Sequence, residues 1–185
     1  MQVCWKALMA TRFTPAAAEC LTGVSASLQR KWVQLHFSSM LVSDWQWEVS
    51  SGGHRRYTWG GIQLLVFFRD VIGDLGASFS AEEFVYVPPG SQRACSNVLP
   101  QSHVFENDFR EYERGDLYLW RTLVEGSSPS FQTVLASAVP KILADAVGAR
   151  LYLYNVSAMQ RDLLAKCERL QETSGILDKM FRADH

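Results

Sequence analysis

Gly23 separates two short stretches that each read as a helix. Upstream of it, Thr14 offers a capping oxygen, Pro15 suits the first helical position, and the run "AAAECL" propagates well. A glycine can enter the left-handed conformation that stops a helix, so Gly23 ends the first one. Ser25 then caps a second helix, expected to run to about Phe37. On that helix Leu28, Trp32 and Leu35 recur at spacings of four and three, which gives one apolar face. Gln29, Arg30, Gln34 and either Ser27 or Lys31 lie elsewhere on it. A helix pair bent at a glycine, apolar on one side and basic on the other, has the physics of a helix-turn-helix.

The next segment changes character. "WQWEV" alternates and favours a strand, "SSGG" is a turn, and "HRRYTW" reads as the returning strand. His54 falls at the tip of this hairpin and Arg55 and Arg56 beside it, which describes a basic wing. Strand alternation puts Arg55 and Tyr57 on one side and Arg56 on the other. From Gly61 to Ile72 a third, broadly apolar helix is expected, carrying Ile62, Leu65, Val66, Phe67, Phe68 and Arg69. "GDLGAS" then punctuates the chain, and a domain boundary is placed near residue 76.

Both pieces together are similar to the winged helix-turn-helix head of the MerR family of transcriptional regulators. The resemblance is carried by "FTPAAAECLTGVSASLQRKW" and by "GGHRRYTWGGIQLLVFFRDV", in the family's order, and covers residues 13–73. The chain departs from the family pattern in having Gln29 after Leu28 and Trp32 four residues on. No cysteine set follows the wing helix, and the long dimer helix usual after it is replaced by the "GDLGAS" break. The resemblance implies binding to double-stranded DNA. It implies neither the family's effector nor its way of dimerising.

DNA affinity comes mostly from phosphate neutralisation, and sequence choice from groove edges. The expected DNA-binding residues are Ser25, Ser27, Gln29, Arg30 and Lys31 on the second helix and His54, Arg55, Arg56 and Tyr57 on the wing. Gln pairs with adenine edges and Arg with guanine, so Gln29 and Arg30 are assigned to bases and Lys31 to the backbone. The helix start near Ser25 and Ser27 suits a phosphate or a base edge. Arg55 and Arg56 form a phosphate clamp or a minor-groove probe. The alternative for Tyr57 is packing on the core, and the tryptophans and phenylalanines are read as core.

Charge is consistent with this division. Residues 1–73 carry seven basic side chains against four acidic ones, a net of +3, whereas residues 74–185 carry −4. A basic head on an acidic body fits a head that meets polyanions. The overall net charge of −1 by itself argues against a protein that coats nucleic acid generally. Forty-eight per cent of residues are hydrophobic, enough for a sizeable core.

The expected fold class is α+β: a winged helix-turn-helix over residues 1–75, then a small α/β domain over 76–185 that ends in a helix. In this body "EEFVYVPPG", "DLYLWRTLV" and "RLYLYNV" read as strands. "SPSFQTVLASAVPKILADAVG" reads as a helix opened by Ser128 or Ser130 and interrupted or kinked by Pro140. "SAMQRDLLAKCERLQET" reads as a helix capped by Ser157, with an apolar stripe through Met159, Leu163, Leu164, Cys167 and Leu170. The stripe is either a dimer seam or a face buried within the chain.

Cys4, Cys20, Cys95 and Cys167 are scattered without zinc spacing, and no apolar stretch has the length a bilayer requires. An intracellular, cytoplasmic and nucleoid-associated protein is expected, without membrane contact, cofactor or enzymatic activity. His103, Glu106, Asp108, Glu111 and Glu113 form an acidic cluster whose bland reading, a solvated loop, outweighs a metal or acid–base site. The expected function is a sequence-specific transcriptional regulator of duplex DNA. It is expected to act as a homodimer, with an effector or protein partner bound through 76–185. The alternative is an architectural or phage-type DNA protein, excisionase-like or packaging-initiating.

Overall fold

Thr14 and Gly23 bound a helix as their chemistry predicts. In the computed structural model, which describes residues 5–36, 47–49, 55–75, 116–123 and 131–174, α1 spans Trp5–Ala10 and α2 spans Pro15–Thr22. Thr14 Oγ1 accepts a hydrogen bond from the Ala17 amide at 3.2 Å, and Gly23 sits at φ 71°. Helix α3, Ala26–His36, follows the turn. Strands β1, Trp47–Val49, and β2, Arg55–Tyr57, pair antiparallel with Trp47 opposite Tyr57 and Glu48 opposite Arg56. The short helix α1 has no counterpart in the sequence reading.

Helix α4, Trp59–Leu75, extends the expected third helix at both ends. Thr58 opens it: its Oγ1 accepts from the Gly61 amide at 3.2 Å, and its carbonyl from Ile62. Every residue from Trp59 to Phe68 is buried, so this first part of the helix is covered on all sides, whereas Gly73 and Asp74 near its end are exposed. Ile62 and Phe67 of this helix share a buried core with Phe13, Leu21, Trp32 and Tyr57. Trp32 meets Phe68 edge-on at 6.3 Å between centroids, and Phe13 meets Trp59 at 6.0 Å. Such pairs contribute about 1 kcal/mol beyond the area they bury.

The chain divides into two compact units, Met1–Phe79 with Arg161–His185, and Ser80–Gln160. The grouping of 161–185 with the head differs from a body that runs unbroken to the C-terminus. The last helix accounts for it, because its Lys166 hydrogen-bonds a carbonyl of α2 and its Leu163 and Cys167 are buried.

The second unit holds a three-stranded sheet of order β4-β3-β5, built from β3, Leu117–Thr122, β4, Gln132–Leu135, and β5, Leu151–Asn155. Both pairings are antiparallel, with Leu117 opposite Leu135 and Leu119 opposite Tyr154. The expected α/β body is therefore α+β in character. Leu117, Leu119, Tyr152 and Tyr154 are buried and alternate with more exposed neighbours, the pattern of a sheet covered on one face.

The helix expected across 128–148 is corrected. Residues 132–135 form β4, Ala136–Ala138 a 3₁₀ turn, and only α5, Val139–Asp145, is α-helical. Thr133 and Val134 are β-branched, and pairing with β3 outweighs the helical propensity of the alanines around them. Pro140 stands in the first turn of α5, where its missing N–H costs nothing, so it starts a helix rather than kinking one.

Helix α6, Val156–Ser174, closes the described chain. Its cap is Asn155, whose Oδ1 accepts from the Ala158 amide at 2.8 Å. Ser157, expected as the cap, instead accepts from the Leu117 amide at 2.9 Å and ties the helix start to β3. On the apolar stripe Met159, Leu163 and Cys167 are buried within the chain. The strand expected at "EEFVYVPPG" and the acidic cluster at 103–113 lie outside the described residues. Among the described residues no helix is long and apolar enough to cross a membrane.

Candidate nucleic-acid interface

Helix α3 is split lengthwise by burial. Ser27, Arg30 and Lys31 are exposed, Ser25 and Leu28 are half-buried, and Gln29 and Trp32 are buried. Gln29 and Trp32 are three residues apart and so share a face. The inward face carries an amide as well as apolar groups, and the outward face carries two cations and a hydroxyl.

Gln29 departs from its expected role. Its side chain is 0 % exposed, and its Nε2 donates to the carbonyls of Val24 at 2.8 Å and Pro15 at 3.1 Å. These two acceptors are the turn and the first residue of α2. A base contact requires an accessible amide, so Gln29 is a tie between the helices and not a reader of adenine. Its Oε1 has no partner, which is the cost of turning an amide inward.

The start of α3 is already occupied. Ser25 Oγ accepts from the Leu28 amide at 3.3 Å and lies 3.0 Å from Ser27 Oγ. The Ala26 amide donates to Glu19 Oε2 at 3.0 Å, so a carboxylate from α2 sits where a phosphate was expected. The charge complements the helix dipole and satisfies an otherwise orphaned donor. The sequence gives a weak signal for this: Glu19 stands seven residues before Ala26, across a tight turn.

On the ribbon, Arg55 and Arg56 are half-buried and Tyr57 is fully buried. Tyr57 is corrected from a DNA contact to a core residue. Its amide donates to the Phe13 carbonyl at 2.9 Å, and the Phe13 amide to the Tyr57 carbonyl at 2.8 Å. This bridge adds Phe13 beside β2 and fixes the ribbon to the segment just ahead of α2. Burial raises the Tyr57 hydroxyl above its ordinary value, and the nearby Arg55 opposes the shift. His54 lies outside the described residues.

Two cations hold the far end of α2. Arg69 of α4 donates through NH1 to the Thr22 carbonyl and through Nε to Asp70 Oδ1 at 2.7 Å. Lys166 of α6 donates through Nζ to the Leu21 carbonyl at 3.4 Å. Thr22 Oγ1 donates to the Ala18 carbonyl at 2.6 Å and accepts from the Val24 amide at 3.1 Å. The turn between α2 and α3 is thus held by side chains from α2, α3, α4 and α6. Neither Arg69 nor Lys166 has a local sequence signal, because each acts on a residue far away in the chain.

Among the described residues no group of three or more His, Cys, Asp or Glu side chains is placed to hold a metal ion. No protein-family model matches the chain, and neither does a curated protein or a solved structure.

Proposed function

We propose that the first unit is a winged helix-turn-helix that binds double-stranded DNA. Helix α3 enters the major groove, and the β1–β2 ribbon lies on the backbone or the adjacent minor groove. Arg30 reads a base edge, Lys31 and Ser27 meet phosphates, and Arg55 and Arg56 supply the ribbon's charge. The protein regulates transcription, and it does so as a dimer, since one such module covers a single half-site.

The observation that carries this reading is the lengthwise split of α3. Gln29 and Trp32 fasten one face to the core while Ser27, Arg30 and Lys31 remain exposed on the other. A helix held in this way offers its polar flank without further rearrangement. The ribbon follows on the same support, because β2 is bridged to Phe13 immediately before α2.

Titration of labelled duplex with the full chain over a range of salt concentrations tests the reading. Log affinity should fall linearly with log salt, with a slope of about −0.9 for each phosphate neutralised. Single strands of the same sequence should bind more weakly. An absence of duplex binding at low salt, or a preference for single strands, would contradict it.

A further inference from the structure

The carbonyls at the end of α2 receive cations from two helices distant in sequence. Arg69 lies on α4 and reaches Thr22; Lys166 lies on α6 and reaches Leu21. A helix C-terminus carries partial negative charge and orphan carbonyls, so cations there stabilise it. The residues they touch lead directly into Gly23, at φ 71°, and then into α3. An ideal Cβ on Gly23 would stand 3.8 Å from Arg69 NH1, so the guanidinium borders the turn itself.

We propose that Lys166 and Arg69 are positioning residues for the reading helix, and that the C-terminal segment of α6 is a working part of the DNA-binding head. Lys166 carries this furthest, because it stands 145 positions from its acceptor and no contiguous head sequence contains it. The inference rests on the DNA-binding reading of α3. The role is indirect: Lys166 meets a protein carbonyl, not a phosphate, and acts by fixing the end of α2 from which the turn departs. Gln29 and Glu19 hold the same turn from the other side, through Val24 and Ala26. Loss of one cation leaves the turn closed but less tightly defined.

The test uses the full chain with Lys166→Met and Lys166→Arg, and Arg69→Gln as a second probe of the same end. Amide hydrogen exchange is followed at Val24–Gln29 and in the middle of α4. Affinity is measured for a duplex selected from a random library by the unaltered protein. Lys166→Met should speed exchange at Val24–Gln29 and leave α4 unchanged. It should also lower duplex affinity roughly fivefold, the scale of one charge-assisted contact at a helix end, with the same salt slope. Lys166→Arg should restore both, and Arg69→Gln should act on the same amides. Unchanged exchange at the turn would overturn the proposal. So would a salt slope reduced by one phosphate, which would make Lys166 a direct DNA contact. If the unaltered protein binds no duplex, the DNA reading fails, and the exchange measurement alone decides whether Lys166 sets the turn.

Discussion

Gln29 is a polar residue whose work is internal. Its amide nitrogen joins Pro15 to Val24 across the turn, and removing it leaves two carbonyls short of a donor. Each such hydrogen bond contributes about 1 kcal/mol net, so Gln29→Ala should lower stability by about 2 kcal/mol in denaturant unfolding. The same variant should weaken binding to all duplexes alike, because it loosens α3 without touching a base. Two cysteines differ in the same local way. Cys20 is exposed on α2, whereas Cys167 is buried and its thiol is pushed up to about 12 by desolvation, with Glu168 adding to the shift. Peptide mapping after alkylation near neutral pH should find Cys20 modified well before Cys167. The raised thiol also sets the sign of a pH effect. Its stabilising contribution is complete below the unfolded value of 9.0 and is lost as pH rises toward about 12. Cys167→Ala should therefore flatten the alkaline fall in stability.

Among the elements, α2 and its glycine turn were legible because the signals are local. Thr14, Pro15, Gly23 and Ser25 each act within four residues, and each does in the structure what its chemistry predicts. Gly23→Ala should cost about 1 kcal/mol through backbone conformation alone, since the added methyl meets only ordinary contact with Arg69. Thermal unfolding of that variant checks the figure. Elements fixed by distant partners were not legible. The β4 residues Gln132–Leu135 sit among helix-favouring alanines and become a strand only because β3 offers a ladder. A polar side chain on a helix is usually solvated, which favours an outward Gln29, although its three-residue spacing from Trp32 places it inward. Tyr57 lay on a strand whose alternation left two readings open, and the bridge to Phe13 decides between them. The loss of Gln29 and Tyr57 from the expected interface leaves it smaller and more cationic.

At the scale of the molecule, charge and grouping bear on function together. The basic excess lies in residues 1–73, and the structure joins 161–185 to that region. The C-terminal helix belongs to that unit from Arg161 onward, and Leu163 and Cys167 of its stripe are buried within the chain. If Arg30, Lys31, Arg55 and Arg56 carry the charge, the salt slope should be that of only a few neutralised phosphates. Arg55→Ala should weaken every duplex similarly and flatten the salt dependence by about one phosphate. The most direct measurement compares the unaltered protein with Arg30→Ala on a selected duplex and on a scrambled one. Arg30→Ala should cost roughly 1–3 kcal/mol on the selected site, change the scrambled duplex little, and so erase the preference. An equal loss on both sequences, or no loss on either, would contradict a base-reading α3.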